Sequence, residues 1–195
     1  MNPTQNPSAL RSKKVITESL LLLMKKYPYA EITVKQILLE TDISRKTFYR
    51  NFLSKDDVLN SFINTILQDY VDTIQQQQQK YSLLQTLDDI FDFCGKNKEI
   101  LFILRDNRLL YLLLEKLNVL ILNEHNRYIS ESQKNHLESQ LLTEYIIYFN
   151  IGGVWNLIVR WIENDMRDSI IDIKKSVIFY LSNIRKIDIR DIYFF

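Results

Sequence analysis

Three glycines and three prolines in 195 residues leave this chain few places to turn sharply. Globular chains use about 7% glycine and 5% proline. Tight turns depend on both, glycine for positive φ and proline for a preset φ. A sheet protein needs such a turn at every hairpin, yet neither Asn-Gly nor Asp-Gly occurs here. The long intervening segments are rich in Leu, Lys, Glu and Gln, all good helix formers. The expectation is an all-α protein of about nine helices.

Local signals divide the chain further. Residues 1–9 hold two prolines and polar residues without a period, as a flexible tail would. Residues 10–27 read as one helix, stopped by Pro28. Thr33 caps a short second helix carrying Val34, Ile37 and Leu38 on one face and ending near residues 41–42. Ser44 caps a third, through residue 52, with Phe48 and Phe52 inward at i, i+4. Ser54 caps a fourth, whose first turn holds Asp56 and Asp57, where carboxylates complement the helix dipole. It runs toward the glutamines at 75–79, read as an exposed helix end. Further helices are expected over 83–94, closed by Gly95 as a C-cap, then 98–104, 108–123, 137–164 and 170–186. Residues 124–136 are polar and read as a connection. The tail, 187–195, alternates apolar and charged residues and could dock on the body or on a partner.

The composition, 46% hydrophobic and 25% charged, is that of a folded chain. The lone Cys94 cannot pair within the chain, which suits a reducing compartment, and is best read as a small buried residue. The first residues lack the apolar core of a signal peptide. No apolar run approaches the roughly 18 residues that span a bilayer. A soluble, cytoplasmic protein without a membrane partner is expected. Net charge is only +1, but it is unevenly spread. Residues 1–60 carry ten Lys/Arg against six Asp/Glu, and residues 61–195 carry fifteen against eighteen. The basic end is the part suited to an anionic partner.

That end contains TVKQILLETDISRKTFYRNFLSKDDVL, residues 33–59. Two short helices joined by a tight turn form a helix-turn-helix. Val34, Ile37, Ile43, Phe48, Phe52 and Leu59 supply a small core. Arg45, Lys46, Thr47, Tyr49, Arg50 and Asn51 are left on the polar face of the third helix. Long cations with hydrogen-bonding side chains are what reading a major groove requires. Asp42 stands in the turn where many such motifs place glycine for positive φ, a conformation that Asp tolerates.

These residues resemble the signature of the TetR family of transcriptional regulators. The match runs through Ser44, Thr47, Phe48, Tyr49, Phe52, Lys55 and Val58-Leu59, with Ile32-Thr33-Val34 opening the second helix, and covers about 50 residues. Residues 145–166, YIIYFNIGGVWNLIVRWIENDM, resemble the C-terminal domain of the dihydroxyacetone-kinase regulator-like branch, through Phe149, Gly152, Gly153 and Trp161. The resemblance implies a tail over 1–9, a DNA-binding domain over 10–60 and a regulatory, dimerising helical domain over 61–195. It implies a homodimeric repressor on a palindromic double-stranded operator, its reading helices one duplex turn (~34–36 Å) apart. A small-molecule effector bound in the C-terminal domain would release the DNA. Thr33 and Lys55 take phosphate positions, while Arg45, Lys46 and Thr47 lead the base contacts, with Ser44 at their head. Tyr49 reaches phosphate or a thymine methyl, or is partly buried; Arg50 and Asn51 are candidates to join.

Other residues carry weaker expectations. Phe102, Tyr111 and Trp155 are candidates for a ligand pocket. Phe149, Gly152 and Gly153 are candidates for the dimer interface, since glycines inside a helix permit close approach of another helix; a ligand-induced kink is the rival reading. His125 and His136 lack neighbours at metal-ligand spacing and read as surface residues. No nucleophile elbow, phosphate loop or metal cluster is visible, so neither an enzyme nor a cofactor is expected. The alternative function is a helical interaction module whose basic third helix meets an acidic protein rather than DNA.

Overall fold

The computed structural model describes residues 7–76, 83–128 and 137–184. Within them every regular element is helical: α1 (Pro7–Met24), a single 3-10 turn (Tyr29–Glu31), α2 (Val34–Leu39), α3 (Arg45–Asn51), α4 (Lys55–Gln76), α5 (Leu83–Lys96), α6 (Lys98–Asp106), α7 (Tyr111–Tyr128), α8 (Leu137–Glu163) and α9 (Ile170–Ile184). The all-α expectation holds.

α1 begins at Pro7, inside the expected tail. Proline is well placed in a first turn, where its missing N–H would have had no partner. The rest of that tail, residues 1–6, lies outside the described residues, as do residues 77–79 of the glutamine run and the tail 187–195. The buried face of α1 is Ser12, Ile16, Ser19, Leu20, Leu23 and Met24, an apolar stripe at helical spacing with two small polar residues in it. Both serines are satisfied: Ser12 Oγ donates to the Ser8 carbonyl at 2.9 Å, and Ser19 Oγ to the Ile37 carbonyl at 3.2 Å. The second bond ties α1 to the middle of α2. The stripe is the floor on which α2, α3 and α4 pack.

Two local expectations fail for identifiable reasons. Gly95 does not end α5; its φ is negative and the helix continues to Lys96. Asn97 closes it instead, through its backbone N–H (3.0 Å) and its side-chain amide (2.9 Å) to the Phe93 carbonyl. Asp42 is not left-handed either, because no residue of the α2–α3 turn has positive φ. Thr41 shapes that turn: its hydroxyl accepts from Ile43 N–H, and its own N–H donates to the Leu38 carbonyl. A turn built this way needs no glycine. Residues 124–128 continue α7 rather than forming a connection, which places His125 on a helix; His136 lies outside the described residues.

The core is one cluster running from Ile16 in α1 to Ile162 in α8. α4 threads it, contributing Val58, Leu59 and Ile63 and then Leu67. The division expected at residue 60 therefore falls inside a continuous helix. Polar bonds fix the N-terminal helices to the rest. Asn107, in the α6–α7 corner, donates from Nδ2 to the Met24 carbonyl (3.0 Å), and its Oδ1 accepts from Tyr29 N–H (2.7 Å). Lys25 of the α1 end pairs with Glu99 of α6. Arg105 of α6 in turn donates from Nη1 to the Ile162 carbonyl (2.9 Å) and to Asp165 (2.8 Å), closing the end of α8. α6 thus lies between the N-terminal helices and α8, bonded to both.

Candidate nucleic-acid interface

α3 is short because it is held at both ends. Ser44 Oγ accepts from Thr47 N–H at 3.1 Å, and Phe52, already extended, donates its N–H to the Phe48 carbonyl at 2.9 Å. Between them Phe48 is fully buried and Phe52 nearly so, their rings 6.2 Å apart. With that edge pinned, rotation of the helix is fixed. Arg45, Lys46, Tyr49 and Arg50 are left exposed, and Thr47 and Asn51 half-buried. The Arg45 guanidinium lies 5.6 Å from the centre of the Tyr49 ring, a cation–π arrangement that splays both across the outer face. Tyr49 packs its ring edge to face on Phe48 at 5.3 Å while 45% of its surface stays open, so it is partly buried. Among the described residues none of Arg45, Lys46 and Arg50 is in an ion pair, and α3 carries no acidic residue.

The remaining polar candidates are partly committed to structure. Thr33 and Gln36 form a capping box at the start of α2, yet Thr33 is exposed. The Ser44 hydroxyl also donates to Thr47 Oγ1 at 3.0 Å. Asn51 Nδ2 donates back to the Thr47 carbonyl at 2.8 Å.

Lys55 departs most from expectation. Its ammonium donates to the carbonyls of Tyr29 (2.6 Å), Ala30 (3.2 Å) and Ile32 (2.7 Å), and it lies 4.5 Å from the centre of the Tyr29 ring. An ammonium has three donors, and three carbonyls occupy them. Lys55 therefore fixes the 3-10 turn to the start of α4 and has no hydrogen left for a phosphate. Tyr29 completes the joint by donating its hydroxyl to Asp56. Burial and that carboxylate push the Tyr29 phenol well above its ordinary range, so it stays a neutral donor. Ser54 caps α4 as expected, accepting from Asp57 N–H at 3.1 Å, while Asp57 accepts from Leu53 N–H at 2.9 Å.

A second feature lies in the body. A cavity of about 450 Å³ opens between α4, α5, α6, α7 and α8. Trp155 lines it. Phe102 and Tyr111 do not: Phe102 is flanked by Lys98 and Arg105, whose cationic groups lie 5.2 and 4.4 Å from its ring centre, and Tyr111 is exposed. Leu113, Leu117 and Ile151 are among its other walls.

Phe149 is 74% exposed on α8, beside exposed Tyr145, Ile146 and Tyr148. α9 likewise exposes Ile171, Ile178, Phe179 and Tyr180. Gly152 and Gly153 are helical, and a Cβ added to either would meet nothing within 4 Å. Packing within the single chain therefore does not require them. Among the described residues no helix is long and apolar enough to cross a membrane, and no group of three or more His, Cys, Asp and Glu could hold a metal ion. No protein-family model matches the chain, and no curated protein matches it.

Proposed function

We propose that this chain is a TetR-like DNA-binding transcriptional regulator, a homodimeric repressor whose α3 enters the major groove. The observation that carries the reading is the outer face of α3, with Arg45, Lys46, Tyr49 and Arg50 exposed on a helix pinned by Phe48. Arg45 and Lys46 at the start of the helix lead the base contacts, Thr33 at the α2 terminus takes a phosphate, and Arg50 supports the backbone. Lys55 positions rather than binds. The exposed apolar faces of α8 and α9 support a second copy as partner, since large exposed apolar patches mark interaction sites. The cavity supports an effector that releases DNA.

The test is a fluorescence-anisotropy titration against labelled duplexes tiled from the chain's own upstream DNA. Affinity should fall linearly with salt on logarithmic axes, as counterion release requires. Arg50→Ala should weaken all duplexes alike and reduce the slope by about 1. No binding to any duplex at low salt would favour the interaction module with an acidic protein partner.

The glycines test the dimer separately. Gly152→Ala/Gly153→Ala is expected to stabilise the single chain by roughly 1 kcal/mol per site, the helix-propensity difference. The same pair should weaken self-association if another helix packs there. Urea unfolding at monomeric concentration and sedimentation at higher concentration read the two effects. A gain in stability with unchanged self-association would remove the glycines from the interface.

A further inference from the structure

We propose that the cavity in the helical body is a binding site for a neutral, predominantly apolar small molecule and that it rejects anions of the same shape. Its volume, about 450 Å³, lies within the roughly 300–1,000 Å³ of small-molecule sites. None of its seventeen lining residues is charged. Tyr70, Thr86 and Asn150 provide the polar surface, with Asn150 exposed at the edge, and aliphatic and aromatic side chains provide the rest. A charged ligand would give up its hydration and meet no counter-charge on these walls, a cost that an apolar molecule does not bear. The Cys94 thiol on the same wall is pushed up to about 12 by burial, as a surrounding of low polarity would do, and is inert rather than reactive.

The position of the cavity gives occupancy a consequence. Leu101 of α6 and Ile162 of α8 both line it, and Arg105 bonds these two helices through the Ile162 carbonyl. An occupant that parts α6 from α8 pulls on the helix that Asn107 fastens to Met24 and Tyr29. That regulatory use rests on the DNA-binding reading above; binding in the cavity does not.

The site is tested without DNA, on the full chain, with a matched pair of fluorescent probes. N-phenyl-1-naphthylamine is neutral; 8-anilino-1-naphthalenesulfonate has the same ring skeleton and carries a sulfonate. The neutral probe should bind saturably, one per chain, at least tenfold more tightly than the anionic one. Val154→Trp and Leu117→Phe, each adding bulk to a cavity wall, should each cut its affinity at least tenfold while circular dichroism stays helical. Val119→Glu, at an exposed position of α7 that does not line the cavity, should leave it unchanged. Equal binding of the two probes, wild-type affinity in both filling variants, or loss in Val119→Glu alone would overturn the proposal. Probe binding by a chain that binds no duplex would sink the DNA reading and leave the cavity site standing.

Discussion

Phe48→Ala should cost about 3–5 kcal/mol, the usual result of truncating a fully buried phenylalanine. Phe48 has no exposed surface and sits where α1, α3 and Phe52 meet. Its ring also backs Tyr49 edge to face, so its removal leaves a void directly beneath the exposed face of α3. Typical domains are stable by only about 5–15 kcal/mol, so this single change consumes a large part of the total. Urea unfolding of the full chain measures it. Tyr49→Phe, which keeps the ring and removes only an exposed hydroxyl, is the control and should stay within about 0.5 kcal/mol. A loss below about 1 kcal/mol for Phe48→Ala would mean that α3 is held by something other than this ring.

Phe149→Glu/Phe179→Glu should weaken self-association at least 100-fold. Phe149 and Phe179 expose 74% and 72% of their surface, which is unusual for large apolar side chains. If a second copy covers them, each glutamate would be buried without a partner in the dimer and fully hydrated in the monomer. A penalty of about 3 kcal/mol across the pair is modest for two such charges and corresponds to about 100-fold in the association constant. Monomer stability should barely change, since both positions are already open to water. Sedimentation equilibrium gives the constants. Unchanged association would place the dimer surface elsewhere or remove the dimer.

Much of the N-terminal region was legible because its signals are local. Thr33, Ser44 and Ser54 announce three helix starts through chemistry that acts within one turn, and each caps the expected helix. Phe48 and Phe52 announce the buried edge of α3 by spacing alone. Where the readings failed, distant or competing partners decided. Gly95 looked like a helix end, but glycine is merely permitted there, and Asn97 supplied the stop. Lys55 matched a phosphate position by pattern, yet three carbonyls of a turn 23–26 residues away claim its ammonium. The cavity had no sequence signature because Leu113, Leu117 and Ile151 are the same residue types that fill a solid core. Whether such side chains meet or line a space depends on helix separation, which no periodicity encodes. The same blindness to helix rotation explains why Trp155 faces the cavity and Phe102 does not. The joint at Arg105 and Asn107 had one available signal, a polar stretch at residues 105–108 between two leucine-rich runs.

The central claim is that α3 reads DNA, and the most direct measurement compares wild type with Arg45→Ala/Tyr49→Ala on the tightest upstream duplex. Arg45 is exposed, and Tyr49 gives up only the contact of a half-open ring with Phe48, so helicity should stay and the unfolding midpoint should fall only modestly. Affinity should fall about 30-fold or more, as the loss of two contacts worth roughly 1–3 kcal/mol each implies. Equal binding by both proteins, with folding intact, would contradict the assignment of α3 as the reading helix.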